Sequence, residues 1–407
     1  MTNLLWPGDE RAGEHMTDRE LLKFMVAVEE AWLNALTAAG LAPVAGADLR
    51  QLVRADDCEL LAVTAENGGN PVLGLVTLLR QRAMPAFGPW IHRGLTSQDV
   101  LDTALMLAVR GVVDQLITEL AEQISTLSAL ATAHRDTPMI ARTLTQHAAP
   151  FTFGAKVAGW LNGVVDAYER IATLSTPGQF GGAVGTWSAT VELATHLAGP
   201  ADPSLVAERV ARYAVAVLGL DYRLPWHTTR SPTTVVADAL VGCTDAWGRI
   251  ASDVVVLARP EIAELSEPAT DGRGGSSSMP HKRNPVLAIL IRRAAIAGPP
   301  LAATLHTAAA LAHDERPDGS WHAEWDTLRT LARRTLVAGS QCRELLAGLQ
   351  VHAAQMGRNL EGADVLGEQR AIADLTGQQP SARYLGAVSR LIDQSVQRAQ
   401  QTLKGAP

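Results

Sequence analysis

Gly275-Ser-Ser-Ser-Met-Pro-His-Lys-Arg-Asn-Pro285 is the stretch on which the reading of this chain turns. A glycine followed by three small hydroxyl residues leaves the backbone free to move, and Pro280 and Pro285 stiffen the exit. Lys282 and Arg283 carry fixed positive charge, and the Asn284 amide both donates and accepts. Such a stretch suits a mobile lid that brings a base and anion-binding groups onto a carboxylate. The same residues also read as a solvated loop in which Asn284 caps a helix with Pro285 in its first turn.

Around this loop the composition points to helices. At 407 residues the chain can bury a large core, and length alone suggests two or three domains. Apolar residues make up 47% and aromatics only 4%, with Ala and Leu, the strongest helix formers, dominant. A long helical pattern begins near Gln98, where Val112, Leu116, Leu120, Ile124 and Leu127 form one apolar stripe. Pro138 and Pro150 bracket a connecting segment, and a second long helix is expected from about Phe153 to Leu174. Ser231-Pro232 is a good start for a third, reaching about Leu257. An apolar helix from Pro285 is expected to break at Gly298-Pro299-Pro300, and a last long one to cover roughly Trp321 to Leu349. The sequence therefore reads as all-α, a bundle of long helices, with residues 1–95 N-terminal, 96–350 central (the signature loop at 271–285) and 351–407 a short C-terminal region. Helices with such broad stripes are expected to bury part of them between subunits.

Several classes of function are disfavoured. A net charge of −7 makes nucleic acid or an anionic membrane surface a poor partner. Cys58, Cys243 and Cys342 are widely spaced and odd in number, which suits isolated thiols of a reducing cytoplasm, with neither disulfides nor zinc. The N-terminus does not read as a signal peptide, and no uninterrupted apolar run has the roughly 18 residues of a membrane span. No His or Cys pair shows metal-ligand spacing, and lone histidines such as His134 and His227 read as core or surface residues. Gly272-x-Gly274-Gly275 is too weak for a nucleotide loop.

Three other segments concentrate polar chemistry. His92-Arg-Gly-Leu-Thr-Ser-Gln-Asp99 puts Thr96, Ser97 and Gln98 at a helix N-terminus, where free N–H groups favour a carboxylate. Thr96-x-x-Asp99 is equally a capping box. Ala141-Arg-Thr-Leu-Thr-Gln-His-Ala-Ala-Pro150 carries Thr145, Gln146 and His147. His313-Asp-Glu-Arg-Pro-Asp-Gly-Ser-Trp-His-Ala-Glu-Trp325 mixes charges with two tryptophans.

Taken in order, these segments resemble the fumarase/aspartase superfamily over nearly the whole chain, and the signature loop matches its GSSxMPxKxNP pattern. Gly69-Asn-Pro-Val-Leu73, Phe153-Gly-Ala-Lys156, Gln179-Phe-Gly-Gly182 and Trp321-His-Ala-Glu-Trp325 are most similar to its branch of bacterial cycloisomerases that lactonise a carboxymuconate. That resemblance implies a tetramer with sites shared between subunits, no cofactor and a small tricarboxylate substrate. Ser276 would transfer the proton and Lys282 would stabilise its alkoxide. Lys282 and Asn284 would hold one carboxylate, and Thr96, Ser97 and Gln98 a second. Thr145, Gln146 and His147 would orient the substrate, and Arg316 would supply an extra cation.

Two departures narrow the chemistry. Fumarases and adenylosuccinate lyases have Thr-His where this chain has Thr143-Leu144, and the Arg-His-Asp of adenylosuccinate lyases is replaced here by Glu66-Asn-Gly-Gly-Asn-Pro71. Expelling hydroxide or an amine needs a general acid, whereas a lactone carboxylate, of pKa about 4, leaves without one. The same logic admits other good leaving groups, such as nitrite from a nitrosuccinate. The alternative reading is thus a β-elimination lyase on a succinate-type substrate.

Overall fold

The computed structural model describes residues 3–43, 48–270, 272–276, 278–279 and 281–405. Asp271, Ser277 and Pro280 of the signature stretch, Gly46-Ala47 and the last two residues of the tail lie outside them.

The chain is helical, as its composition implies. In order come α1 (Asp18–Ala38), α2 (Asp57–Gly68), α3 (Val72–Arg82), α4 (Ser97–Ala133), β1 (Pro138–Thr143), β2 (Gln146–Thr152), α5 (Phe153–Ala172), α6 (Ser188–Leu197), α7 (Pro203–Val217) and α8 (Ser231–Leu257). β3 (Leu265–Ser266), α9 (Val286–Ala310), α10 (Gly319–Ala347), β4 (Gln350–Val351), α11 (Ala353–Glu361), α12 (Gly367–Thr376) and α13 (Val388–Lys404) complete it. The described residues pack as two compact units, Met1–Asp114 with Leu174–Asp238 and Pro300–Arg333, and Gln115–Thr173 with Ala239–Pro299 and Arg334–Pro407.

Local chemistry explains the helix ends. Thr17 accepts from Glu20 N at 3.2 Å, which satisfies one orphan donor of α1, while Glu20 accepts from Met16 N just ahead of the cap at 2.6 Å. Thr152 caps α5, and Asp202 with Pro203 opens α7. The α4 stripe is real: Val112, Leu116, Leu120, Ile124 and Leu127 are all fully buried. In the second unit Gln123 joins three helices, accepting from Trp247 Nε1 at 2.7 Å and donating to Gly339 O at 3.0 Å. Helices α8 and α9 approach so closely that a Cβ on Gly248 would lie 2.5 Å from the Ala295 methyl. The C-terminal α13 packs along α5, where Asn162 meets Ser395 at 3.0 Å and Arg398 pairs with Asp166 and Glu169.

Two expectations are corrected. First, α9 runs through Gly298-Pro299-Pro300 without a break. Gly298 lacks the Cβ that the Pro299 ring would strike, and the fixed φ of both prolines is helical, although two N–H donors are lost. Second, the segment between Pro138 and Pro150 is a β-hairpin. β1 and β2 pair antiparallel with Thr143 opposite Gln146, and Met139 and Ile140 face inward, fully buried. By length and composition alone α9 could cross a membrane, but no uninterrupted apolar run in it reaches 18 residues. Arg292 and Arg293 lie on the same stripe as the exposed Ile289 and Ile296.

Candidate active site

In the first unit the hydroxyl-rich segment opens α4. The chain reaching it is held by neighbours: Trp32 Nε1 donates to Arg93 O at 2.8 Å, Arg80 Nη2 to Ile91 O at 2.7 Å, and His92 Nδ1 lies 2.6 Å from the buried Glu29. Thr96 and Ser97 are buried at the helix start. Half of the expected capping box is present, since Asp99 accepts from Thr96 N at 3.0 Å. Asp99 does much more. It also accepts from Gly181 N, Gly182 N and His227 Nε2, each at 2.9 Å, so the Gln179-Phe-Gly-Gly182 turn docks on α4 through this carboxylate.

Arg316 is brought onto this segment. Its Nη2 donates to the Thr96 hydroxyl and, at 3.1 Å, to Ala183 O. A guanidinium and a hydroxyl thus meet beside a helix N-terminus, an arrangement suited to a carboxylate. Gln98, expected beside them as a ligand for the same carboxylate, turns inward, and its Oε1 meets no partner among the described residues. It is fully buried, and its Nε2 donates to Asp102 Oδ2 at 3.2 Å and His227 O at 2.9 Å. Two acceptors face that end, so the amide cannot be reversed, and its donors are committed inside the fold.

Beneath lies a buried ion cluster. Arg230 donates to Asp102 and Glu324, and Trp321 Nε1 donates to Asp102 at 2.9 Å. Burial works against the Arg230 charge, but the two carboxylates outweigh it and hold its pKa above the ordinary value. Burial raises Glu324, with Arg230 opposing.

The second unit holds the other candidates. Thr145, Gln146 and His147 stand exposed at the β1–β2 tip, with Gln146 Nε2 donating to Thr145 Oγ1 at 3.2 Å. Leu144 and Thr145 form the turn, with φ of 49° and 71°. Neither is glycine or asparagine, so the turn stores about 1–2 kcal/mol per residue. Such strain persists where surrounding structure demands it and clusters at functional sites. Leu144 is 95% exposed and offers no proton. Arg142 roots the hairpin, donating to the fully buried Glu264 at 2.8 and 3.1 Å. Asn359 also donates to Glu264, at 2.8 Å, and Glu264 directly precedes β3, which leads toward the signature loop.

The described part of that loop is clasped at its base. Asn284 N donates to Gly274 O at 2.8 Å and Asn284 Nδ2 to the same oxygen at 3.2 Å. Gly274 has φ of +73°, and a Cβ there would lie 2.6 Å from Asn284 O. Asn284 therefore closes the loop instead of capping α9. The cap is Glu267, which sequence reading missed: it accepts from Leu287 N at 3.0 Å and Ala288 N at 2.7 Å, and burial raises its pKa. Glu267, Arg273, Arg283 and Asn284 line a cavity of about 300 Å³. Ser276 is half-buried and its Oγ accepts from Met279 N at 3.2 Å, while the Lys282 side chain is exposed. That N–H is one donor available to a serine oxygen bearing charge.

His227 is a partnered core histidine. His134 is half-buried, 3.0 Å from Thr137 Oγ1, and lowered in pKa by burial. Among the described residues no group of three His, Cys, Asp or Glu side chains is placed to hold a metal ion.

Comparison with known proteins adds to this geometry. A family model described as Lyase matches residues 14–297. Nitrosuccinate lyase of Streptomyces davaonensis is 40% identical over 94% of this chain and 82% of its own length. The 3-carboxy-cis,cis-muconate cycloisomerase of Bradyrhizobium diazoefficiens is 38% identical over 92% of this chain and 83% of its own. Among solved structures, the 3-carboxy-cis,cis-muconate lactonizing enzyme from Pseudomonas putida superposes with a TM-score of 0.82 at 31% identity, covering 96% of this chain and 97% of that one.

Proposed function

The chain belongs to the Lyase family of the fumarase/aspartase superfamily, and on that premise we propose that it is a cofactor-free cycloisomerase interconverting 3-carboxy-cis,cis-muconate and 4-carboxymuconolactone in aromatic breakdown. The observation that supports this most is Arg316 seated on the Thr96 hydroxyl, a cation for one carboxylate of a tricarboxylate. In the lactone-opening direction Ser276 removes the proton from the carbon beside a carboxylate. The electron pair moves into that carboxylate to give an aci-acid, held by Lys282 and Asn284. It then returns to form the double bond as the ring C–O bond breaks and the lactone oxygen leaves as carboxylate. Backbone N–H groups and the Lys282 charge stabilise the Ser276 alkoxide. Thr96, Ser97 and Arg316 hold a second carboxylate, and Thr145, Gln146 and His147 orient the substrate. Leu144 at the hairpin tip carries no acid, and a departing carboxylate needs none.

The proposal includes a cytoplasmic homotetramer, in which the exposed stripe of α9 packs between subunits, and the chain organisation 1–95, 96–350 and 351–407. A second reading rests on the 40% identity to nitrosuccinate lyase, since nitrite also departs without an acid. Side-by-side assays with 3-carboxy-cis,cis-muconate and nitrosuccinate decide between them. The cycloisomerase reading expects loss of the diene chromophore and a raised KM in Arg316→Ala. Nitrite and fumarate from nitrosuccinate with no action on the diene would overturn it.

A further inference from the structure

The mechanism above makes no use of the buried ion cluster, and it leaves Trp321 and Glu324 of the Trp-His-Ala-Glu-Trp segment without a task. Arg230 is only 3% exposed. Its Nη1 and Nη2 donate to the two oxygens of Asp102 at 2.7 and 3.1 Å. Its Nε and Nη2 donate to Glu324 at 3.0 and 2.5 Å. The guanidinium carbon lies 4.7 Å from the Trp226 ring centroid. Two edges of a planar fork are filled by carboxylates and one face by an indole, an arrangement that lysine's single ammonium cannot reproduce.

The partners matter by position. Asp102 stands on α4, four residues after Gln98, which donates to it, and six after Thr96. Glu324 and Trp321 stand in the first turns of α10, and Arg316 lies in the segment that enters it. Arg230 immediately precedes α8 and follows His227, which holds Asp99. We propose that Arg230 is a positioning residue: by clamping Asp102 and Glu324 it sets Thr96 and Arg316 against each other as one pre-formed carboxylate seat. The inference rests on the reading of Thr96 and Arg316 as that seat.

Two carboxylates share one buried guanidinium, and burial raises the Glu324 pKa while Arg230 opposes it. Removing Arg230 alone would strand Asp102 and Glu324 and damage folding, whereas replacing the whole set with neutral groups need not. The test therefore uses Arg230→Lys, Arg230→Met and the triple variant Asp102→Asn/Arg230→Met/Glu324→Gln. On whichever substrate the wild type turns over, Arg230→Lys is expected to raise KM by about tenfold or more with kcat changed less than about threefold. The triple variant is expected to recover the Tm lost in Arg230→Met while its KM stays high. An unchanged KM in Arg230→Lys, or a KM restored together with Tm in the triple variant, would show a merely structural cluster and overturn the proposal. A second arm needs no substrate: amide exchange across residues 94–104 in Arg230→Lys is expected to quicken by about tenfold or more, and that across 115–133 to stay as in wild type. Unchanged exchange across 94–104 overturns the proposal as well. Should the wild type act on neither substrate, the functional reading fails, and exchange still decides the case of Arg230.

Discussion

Asp99→Asn replaces one oxygen by an NH2 group of nearly equal size in a fully buried residue, so its effect reports hydrogen bonding and charge with little change in packing. Asp99 Oδ1 accepts from Gly181 N and His227 Nε2, and Oδ2 accepts from Thr96 N and Gly182 N. Asparagine has a single carbonyl oxygen, so in either orientation two buried donors face another donor. Each stranded donor costs about 1–3 kcal/mol, giving about 2–6 kcal/mol in total. A switch of the His227 tautomer would let Nε2 accept from the amide, leaving one stranded donor and about 1–3 kcal/mol. Urea unfolding followed by tryptophan fluorescence at equal protein concentrations measures this, since Trp187 and Trp226 both bond to the Gln179–Gly182 turn. Where the new NH2 group takes the Oδ2 place, KM is expected to rise as well, because Thr96 loses its tie. A change below about 0.5 kcal/mol, the size of an ordinary surface substitution, would refute the assignment of Asp99 as the anchor of that turn.

Gly274→Ala places a methyl at positive φ against Asn284 O, which costs about 1–2 kcal/mol for the backbone alone and opens the loop clasp. Single-turnover rates are expected to fall by about a hundredfold while Tm moves little, and a rate within about twofold of wild type would contradict this. Burial raises the Glu119 pKa, with Arg343 opposing. A carboxyl raised on folding stabilises most below its unfolded value, about 4.3, and that contribution is lost as pH climbs through the folded value. The stability of Glu119→Gln relative to wild type should therefore improve as pH rises from about 4 toward neutrality, and urea midpoints showing a constant difference would count against it. Cys243 and Cys342 are fully buried, with the Cys243 thiol pushed up to about 12 by burial and Cys342 pushed higher as well. Thiol titration of the native protein should modify Cys58 alone, with the other two appearing only in denaturant.

What could be read in the sequence was local. Ser231-Pro232 marks the start of α8 because a small polar residue and a proline suit a first turn, and the α4 stripe shows its own period. The signature loop is legible because glycine, serine and proline each act on their own backbone. The hairpin was missed because its turn residues, Leu144 and Thr145, are ones that ordinarily avoid positive φ. The helical path through Pro299-Pro300 was missed because the rule that prolines break helices ignores a preceding glycine. Arg230 is separated from Asp102 by 128 residues and from Glu324 by 94, so no local pattern joins them. For the same reason the sequence does not show that His227 lies against Asp99, or that the Gln98 amide bonds to Asp102 and the His227 carbonyl.

On the proposed reading Ser276 moves the proton in the interconversion of a carboxymuconate and its lactone, and the departing carboxylate needs no acid. The most direct test of this claim is the ultraviolet absorbance of 3-carboxy-cis,cis-muconate mixed with purified wild type and, separately, with Ser276→Ala. The account predicts loss of the diene absorbance with wild type and none with Ser276→Ala. Equal loss with both proteins would remove Ser276 from the chemistry, and a stable absorbance with both would contradict the cycloisomerase itself.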